Sequence, residues 1–268
     1  MKLVIPGGNG FIGSHICEVA VNAGHDVVAF GRSGEPDLTP VRHPWVGKVT
    51  WLSADVFDVD AWSDVLDGAD AVIHTIGTIV QDPSNGITFE RINGEAAIVA
   101  ADAAAKSGVD TFVKLSIQDK PPGVSGRFLA SMRRAERTIP ERFPSLRSVF
   151  LQPNLVFGDD RFATCTMAGL LQAAARVVPF PYGSHEGRPL PVQSVAAAAV
   201  HAAAQDTLKG PLNVNQIDDI ARTSGLIDPS DLPEPTLRPL LAGLGGATMA
   251  YWMLRRSSKT SESSSVPA

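Results

Sequence analysis

A glycine-rich turn near the N-terminus constrains the fold of this chain more than any other feature of the sequence. The turn has the sequence P-G-G-N-G-F-I-G (Pro6 to Gly13). It follows a short apolar run, Lys2 to Ile5, and leads into a segment with helical apolar spacing that ends at Gly24. An apolar strand, a tight glycine turn and a helix in this order are typical of a β-α-β unit.

Further apolar runs alternate with helical segments along the first half of the chain. We predict helices at 11–23 and 92–106, and further strands at 26–30, 49–52, 71–76, 111–116 and 148–152. This alternation predicts an α/β fold, namely a Rossmann-type doubly wound parallel sheet with helices on both faces. A small C-terminal lobe and a C-terminal extension should follow it.

The sequence pattern predicts three regions. Residues 1–152 should form the Rossmann core, and 153–235 a small substrate-type lobe interwoven with that core. Within the lobe we expect helices at 162–178 and 195–205 and a brief strand at 212–214. Residues 236–268 combine an apolar helix candidate with a polar tail that we expect to be disordered.

The composition excludes several classes of protein. The 268 residues are 44% hydrophobic and 19% charged, which suffices for a sizeable core. The formal net charge is −5 and no basic stripe is visible, which argues against a nucleic-acid partner. The two cysteines, Cys17 and Cys165, have no CxxC spacing and no nearby histidine cluster. No metal site is therefore predicted, and Cys17 is expected to be a buried thiol.

Three glycines, Gly7, Gly10 and Gly13, carry the clearest chemistry because their spacing is G-x-x-G-x-x-G. A tight turn, a backbone close to a pyrophosphate, and a helix packed closely on the sheet each exclude a β-carbon. The helix that starts at Phe11 and Ile12 presents N–H groups and a partial positive charge to phosphates. These five residues are predicted to bind a dinucleotide, and a purely structural turn is the alternative.

The end of the second predicted strand distinguishes two cofactors. The chain has Phe30-Gly31-Arg32-Ser33 there, with no carboxylate that could bind the ribose 2′-hydroxyl of NAD(H). Arg32 can pair with a 2′-phosphate and stack on adenine, and Ser33 can add a hydroxyl. We therefore predict NADP(H) as the cofactor, and an ordinary exposed arginine in a loop is the alternative.

Other polar residues have competing interpretations. Asp55 follows the third strand, where it can accept a hydrogen bond from the adenine amino group or cap a helix that starts near Asp60. His74 ends the fourth strand, and a satisfied buried histidine is favoured over a functional one. The loop with His185, Glu186 and Arg188 is expected to be solvated rather than ligand-binding.

The chain resembles the extended and atypical short-chain dehydrogenase/reductase superfamily over nearly all of residues 1–220. The matching motifs are the glycine turn, Asp55-Val56, His74-Thr-Ile-Gly77, Asn93, Leu115-Ser116, Ser131-x-x-x-x-Glu136, Gln152-Pro153 through Phe157-Gly158, and Arg188-Pro-Leu-Pro-Val192. The resemblance implies that further residues complete the cofactor site. These are Asp55, Val56, Thr75, Ile76, Gly77, Asn93 and Ser116.

Within that superfamily the chain is most similar to a quinone-linked mitochondrial branch, which includes an accessory subunit of respiratory complex I and a yeast protein of ubiquinone biosynthesis. The stretches that carry this likeness are Arg32-Ser33-Gly34, Ser116-x-x-Asp119-Lys120 and Ser125-Gly126. The branch implies protein partners in a larger assembly. It also implies a location on the matrix side of the inner mitochondrial membrane, with a cytoplasmic location as the alternative.

The superfamily's catalytic pair is missing from this chain. An active member has a tyrosine proton donor and, four residues later, a lysine that lowers the tyrosine pKa. Aligned on Ser131 and Glu136, those positions hold Phe128 and Met132, and neither has a proton to give. We therefore predict no catalytic residues and a structural or regulatory subunit, including a version that senses the NADP(H) redox state. The alternative is an active oxidoreductase on a quinone precursor or small carbonyl compound, with a proton from substrate or water.

The C-terminal segment carries a second hint of assembly. Residues 239–254 contain no charge, Tyr251 and Trp252 lie near one end, and Arg255 and Arg256 follow. As a helix this stretch would span about 24 Å, which is shorter than a bilayer core. Residues 237–256 are predicted to contact a membrane surface or a partner subunit, and packing on the protein's own core is the alternative.

Overall fold

A parallel β-sheet organises the protein. The computed structural model describes residues 1–39, 41–120, 123–158 and 187–232. Seven of the described strands form one sheet in the order β3-β2-β1-β4-β5-β6-β9, and each neighbouring pair is parallel. They are β1 (Lys2–Pro6), β2 (Asp26–Gly31), β3 (Val49–Ser53), β4 (Ala71–His74), β5 (Thr111–Leu115), β6 (Arg147–Leu151) and β9 (Gly210–Leu212). Two short strands, β7 (Val156–Phe157) and β8 (Leu190–Pro191), form a separate parallel pair.

The described helices cover both faces of this sheet. They are α1 (Phe11–Asn22), α2 (Ala96–Lys106), α3 (Gly126–Arg142), α4 (Val192–Ala204) and α5 (Val214–Thr223). Helices α1, α4 and α5 bury their apolar residues in one core cluster, and helices α2 and α3 in another. The predicted Rossmann-type doubly wound parallel sheet is therefore confirmed.

Strand β1 shows why its residues form a central strand. Leu3 and Ile5 belong to the core cluster of α1 and α4, while Val4 belongs to the cluster of α2 and α3. Side chains alternate between the faces of a strand, so a strand covered on both faces has a continuous apolar sequence. Because these strands are parallel, the carboxyl ends of β1, β2, β3 and β4 meet at one edge of the sheet. The glycine turn lies at that edge.

The start of the alanine-rich helix differs from the prediction. The sequence predicts a helix at 92–106 with Asn93 at its opening, whereas the structure has a π-helical turn, Glu90–Glu95, that continues into α2. Asn93 lies inside that turn. Gly94 in the same turn faces α3 closely, since a β-carbon there would lie 3.2 Å from the Ser131 carbonyl oxygen. Apolar periodicity does not reveal one extra residue in a turn, which explains the error.

The predicted helix near Asp60 is also different in the structure. Two short 3₁₀ turns, Val59–Ala61 and Ser63–Leu66, occupy that stretch. Trp62 lies between them and stacks on Phe30 of β2 with ring centroids 4.8 Å apart. Burial of this large side chain sets the local path, so a long regular helix does not form here.

Residues 187–232 join the core. Helix α4 begins at Val192, three residues before the predicted start, and packs against α1. Strand β9 lies two residues earlier than the strand predicted at 212–214 and pairs with β6. The boundaries at 152 and 235 stay predictions, and the helix predicted at 162–178 and the segment 236–268 lie outside the described residues. Within the described part of the chain, none of the helices combines the length and apolar character that crossing a bilayer requires.

Candidate functional site

A cleft of about 820 Å³ opens at the carboxyl edge of the sheet. It lies over the ends of β1, β2, β3 and β4, as expected for a ligand site of a doubly wound fold. Its lining within the described chain is Gly7, Asn9, Gly10, Gly31, Arg32, Ser33, Ala54, Asp55, Val56, Phe57, Thr75, Ile76, Gly77, Thr78, Asn85, Gly86, Ile87, Arg91 and Ile92.

The glycine turn has no room for side chains. Gly7 has a φ of +84°, and a β-carbon there would lie 2.6 Å from Thr75 Oγ1. A β-carbon on Gly13 would overlap the carbonyl oxygen of Gly7. Gly10 is the N-cap of α1 and supplies no side-chain cap, so the helix N-terminus stays open to a ligand oxygen. The turn thus has the tight geometry that the sequence predicts.

The backbone of Arg32 is held from two sides. Ser53 Oγ donates to the Arg32 carbonyl oxygen at 3.0 Å, which ties the end of β3 to the end of β2. Asn9 Nδ2 donates to Ser33 Oγ at 2.8 Å, and the Asn9 side chain lies against Gly31 so closely that a β-carbon there would overlap it. Both predicted residues, Arg32 and Ser33, are exposed and line the cleft.

The carboxylate of Asp55 anchors the next segment of the cleft wall. Asp55 Oδ1 accepts a hydrogen bond from the Phe57 N–H at 3.0 Å. The 3₁₀ turn Val59–Ala61 has no side-chain cap, so Asp55 does not have the alternative capping role that the sequence left open. Asp55 and Val56 both line the cleft.

The wall that follows β4 is held by the Asn93 amide. Asn93 Oδ1 accepts from the Thr78 N–H at 2.7 Å, and Asn93 Nδ2 donates to the Thr78 carbonyl oxygen at 2.9 Å. Thr75 Oγ1 donates to the Pro6 carbonyl oxygen at 2.9 Å, which joins the ends of β4 and β1. Asn93 therefore shapes the wall from behind without lining the cleft.

The structure divides the predicted site residues into two groups. Those that line the cleft are Gly7, Gly10, Arg32, Ser33, Asp55, Val56, Thr75, Ile76 and Gly77. Those that do not line it are Phe11, Ile12, Gly13, Asn93 and Ser116. Ten residues line the cleft without having been predicted as site residues: Asn9, Gly31, Ala54, Phe57, Thr78, Asn85, Gly86, Ile87, Arg91 and Ile92. Among them, Asn9 within the glycine turn and Gly86 in its loop had a local sequence signal.

Ser116 belongs to a partly buried hydrogen-bond network. Its Oγ donates to Glu136 Oε1 at 2.5 Å. The same carboxylate accepts from Arg133 Nη1 at 2.7 Å and from Gln152 Nε2 at 2.9 Å, while Arg133 Nη2 donates to the Gln118 carbonyl oxygen at 2.7 Å. With these partners, the network fixes α3 on the ends of β5 and β6.

Phe128 and Met132 lie in an apolar cluster with Phe89 and Ile117. Phe128 is 2% exposed and Met132 is 7% exposed. The rings of Phe128 and Phe89 meet edge to face, with their centroids 5.4 Å apart. An edge-to-face aromatic pair stabilises packing and offers no acid or base.

A buried lysine, which sequence analysis did not identify, lies beside this cluster. Lys114 is fully buried, and its Nζ donates to the Leu115 carbonyl oxygen at 3.0 Å and to Met132 Sδ at 3.2 Å. Burial lowers the pKa of Lys114 to about 8; the Glu136 carboxylate opposes that shift and Arg133 adds to it. A lysine inside the apolar run T-F-V-K-L was the available signal.

His74 is the neighbour of Lys114 across the sheet, since the two residues pair in the register of β4 and β5. The ring is fully buried, as predicted, but neither ring nitrogen has a hydrogen-bond partner among the described residues. The expectation of a satisfied histidine was therefore wrong. Burial, and then the charge of Lys114, lower the pKa of His74 to about 3.

The structure also tests the predictions for Cys17 and Arg188. Cys17 is fully buried, and burial raises the pKa of its thiol, so the buried thiol is confirmed. Arg188 donates to Asn215 Oδ1 at 2.6 Å and to Asp218 Oδ2 at 2.8 Å, so it fastens α5 rather than lying in a solvated loop. His185 and Glu186 lie outside the described residues.

The sheet order and the glycine turn define a Rossmann-type protein. Residues 3–118 match the model of the NAD dependent epimerase/dehydratase family. Together with the relatives below, this match confirms the predicted resemblance to the extended short-chain dehydrogenase/reductase superfamily and its mitochondrial members.

Three curated relatives illustrate the match. An uncharacterized chloroplastic protein of Arabidopsis thaliana is 38% identical over 160 residues, which are 59% of this chain and 51% of that protein. MIOREX complex component 2 of Saccharomyces cerevisiae is 25% identical over 207 residues, covering 60% of this chain and 75% of that protein. The mitochondrial NADH-ubiquinone oxidoreductase 40 kDa subunit of Neurospora crassa is 26% identical over 170 residues, covering 58% and 44%. The chain thus spans about half the length of the plant relative.

Solved structures share the fold. MoeE5 in complex with UDP-glucose and NAD has a TM-score of 0.57 and 20% sequence identity, over 84% of this chain and 82% of that chain. At this identity the similarity supports the Rossmann-type architecture and does not extend to substrate.

Proposed function

We propose that the protein binds NADP(H) without independent catalysis and acts as a structural or regulatory accessory subunit of a mitochondrial respiratory (complex I) or quinone-linked assembly. One observation carries this proposal. The cleft keeps its glycine turn, while Phe128 and Met132, where the superfamily has its acid and its lysine, are packed in an apolar cluster. A positioned acid or base contributes about 10²–10⁴ to rate, and these side chains supply none of it.

The cofactor fits the cleft on three grounds. The turn is so tight that β-carbons on Gly7 and Gly13 would overlap Thr75 Oγ1 and the Gly7 carbonyl oxygen, and the N-terminus of α1 has no side-chain cap. Arg32 and Ser33 lie at the end of β2, where no carboxylate faces a ribose 2′-hydroxyl, so we assign NADP(H) rather than NAD(H). When bound, the nicotinamide would supply hydride chemistry.

The remaining predicted site residues shape the cofactor cleft. The backbone of Phe11, Ile12 and Gly13 forms the helix end behind the phosphates. Val56 and Thr75 to Gly77 form the walls of the cleft. Asn93 and Ser116 do not line the cleft; Asn93 holds the wall at Thr78, and Ser116 holds the end of β5 to α3.

The names of the relatives support an assembly. One relative is named as a component of the MIOREX complex and another as a mitochondrial NADH-ubiquinone oxidoreductase subunit. We assign this chain to the matrix side of the inner mitochondrial membrane. The plant relative is named as chloroplastic, so fractionation of organelles is the measurement that decides the compartment.

A second function has one observation in its favour. Lys114 Nζ lies 3.2 Å from Met132 Sδ, so an amine from β5 reaches the place where the superfamily has its helix lysine. The second function is therefore an NADPH-dependent oxidoreductase that acts on a quinone precursor or a small carbonyl compound. In such an enzyme Lys114 would supply the cation, and the proton would come from substrate or water.

Calorimetric titration tests the cofactor assignment. We expect the wild type to bind NADPH more tightly than NADH, and Arg32→Ala to remove about 10- to 150-fold of the NADPH affinity, since it removes a charge-assisted pair. Arg42→Ala, an exposed arginine outside the cleft lining, is the matched control. Equal affinities for NADPH and NADH would contradict the 2′-phosphate assignment.

Turnover assays separate the two functions. The purified wild type should show negligible hydride-dependent turnover with carbonyl and quinone acceptors, because Phe128 has no proton to transfer. Robust turnover that Lys114→Met abolishes would overturn the non-catalytic assignment in favour of the oxidoreductase. A pull-down in mild detergent, followed by identification of the bound proteins and nucleotide, tests the assembly.

A further inference from the structure

Arg91 reaches across the cleft to a distant strand end. It belongs to the π-helical turn after β4, yet its guanidinium carbon lies 4.0 Å above the centre of the Phe57 ring, which follows β3. In the sheet, β2 and β1 separate β3 from β4, so three strand spacings of about 4.8 Å each lie between these ends. The contact therefore joins the segments that follow β3 and β4 on the two sides of the cleft.

Both partners of this contact are held in place. The Phe57 N–H is bonded to the Asp55 carboxylate, and the Arg91 N–H donates to Thr88 Oγ1 at 3.2 Å. Two residues further along the π-helical turn, Asn93 fixes the Thr78 backbone through both amide atoms. The backbone on each side of the contact is therefore held, while the Arg91 side chain is exposed and lines the cleft.

The guanidinium carbon of Arg91 lies over the Phe57 ring at 4.0 Å from its centre, which is within cation–π distance. Arg91 and Phe57 both line the cleft, so this pair borders the space that a ligand would fill. Planar guanidinium groups stack on aromatic rings, and nucleobases stack on arginine planes in the same way.

We propose that Arg91, supported by Phe57, is a stacking platform for the adenine ring of the bound nucleotide. This inference rests on the proposed cofactor site and adds a residue that binds the base. Arg32 recognises the 2′-phosphate and so distinguishes NADPH from NADH. Arg91 contacts a part that NADPH and NADH share, and therefore sets the affinity for both without changing their ratio.

Calorimetry with three ligands tests this division. Base stacking contributes about 1–3 kcal/mol, so Arg91→Ala should weaken NADPH, NADH and adenosine 2′,5′-bisphosphate by a similar factor between about 5 and 150. Arg91→Lys keeps the charge and loses the plane, so it should resemble Arg91→Ala. Arg137→Ala, an exposed arginine on α3, should bind like the wild type.

The outcomes separate this inference from the cofactor proposal. If the wild type binds none of the three ligands, the cofactor assignment and the platform both fail. If the wild type binds and Arg91→Ala binds equally well, the platform alone is refuted. Recovery of affinity in Arg91→Lys, or a changed NADPH/NADH ratio in Arg91→Ala, would show a charge acting on phosphate and would also refute it. Unchanged thermal midpoints confirm that the variants are folded.

Discussion

Acidification should destabilise this protein through His74. The folded state holds the ring neutral, with its pKa lowered to about 3, because the ring is fully buried and faces Lys114 from the adjacent strand. The unfolded chain has a histidine pKa near 6.5. Below pH 6.5 the unfolded state therefore binds a proton that the folded state does not, and stability falls as pH falls toward 3.

The size of this effect can be calculated for a mild pH change. Between pH 7.5 and pH 5.0 the unfolded histidine takes up almost a full proton while the folded ring stays neutral. The linkage relation then gives a loss of about 2 kcal/mol in the free energy of unfolding. Any folded-state pKa below about 4 gives nearly the same figure. Lys114 contributes only about 0.2 kcal/mol in this range, because at pH 7.5 it is already mostly protonated in both states with its folded pKa of about 8.

Urea unfolding of the wild type and of His74→Leu at both pH values measures the effect. Between pH 7.5 and pH 5.0 the free energy of unfolding should fall by about 2 kcal/mol more in the wild type than in His74→Leu, since leucine cannot be protonated. His43→Gln is the control at a partly exposed histidine, and its loss of stability on acidification should equal that of the wild type. If His74→Leu and the wild type lose the same stability on acidification, the burial argument for His74 is refuted.

Three further predictions concern other parts of the molecule. Gly13→Ala should lower the free energy of unfolding by about 1–3 kcal/mol and abolish NADPH binding, because its methyl group would press on the Gly7 carbonyl. Chemical denaturation measures the first effect and calorimetric titration the second. Gly47→Ala, where a methyl group meets no other atom, should change neither quantity. Between pH 7 and pH 10 the wild type should gain about 2 kcal/mol more stability than Lys114→Met, since the pKa of Lys114 is lowered in the folded state, and equal changes in the two proteins would contradict this. Deletion of residues 237–268 should leave NADPH affinity and thermal stability nearly intact but release the protein from its membrane or complex fraction; a collapsed fold would indicate that the segment is core packing.

The sequence predicted the elements whose cause is local. Strand β1, the glycine turn and helix α1 are read from adjacent residues, since apolar periodicity and glycine spacing are properties of neighbours along the chain. Arg32 and Asp55 could be placed in the cleft for a related reason. Each follows a strand, and the carboxyl ends of parallel strands meet at one edge.

The tertiary structure decided what depends on residues far apart in the sequence. No local pattern brings Arg91 onto Phe57, places Lys114 Nζ beside Met132, or turns the Asn93 amide toward Thr78. Those contacts arise because strand order juxtaposes loops that the chain separates, and because burial then removes water from the groups between them. By itself the sequence determined a Rossmann sheet with a glycine turn, whereas only packing decided which side chains form the walls of the cleft and which charged groups are buried.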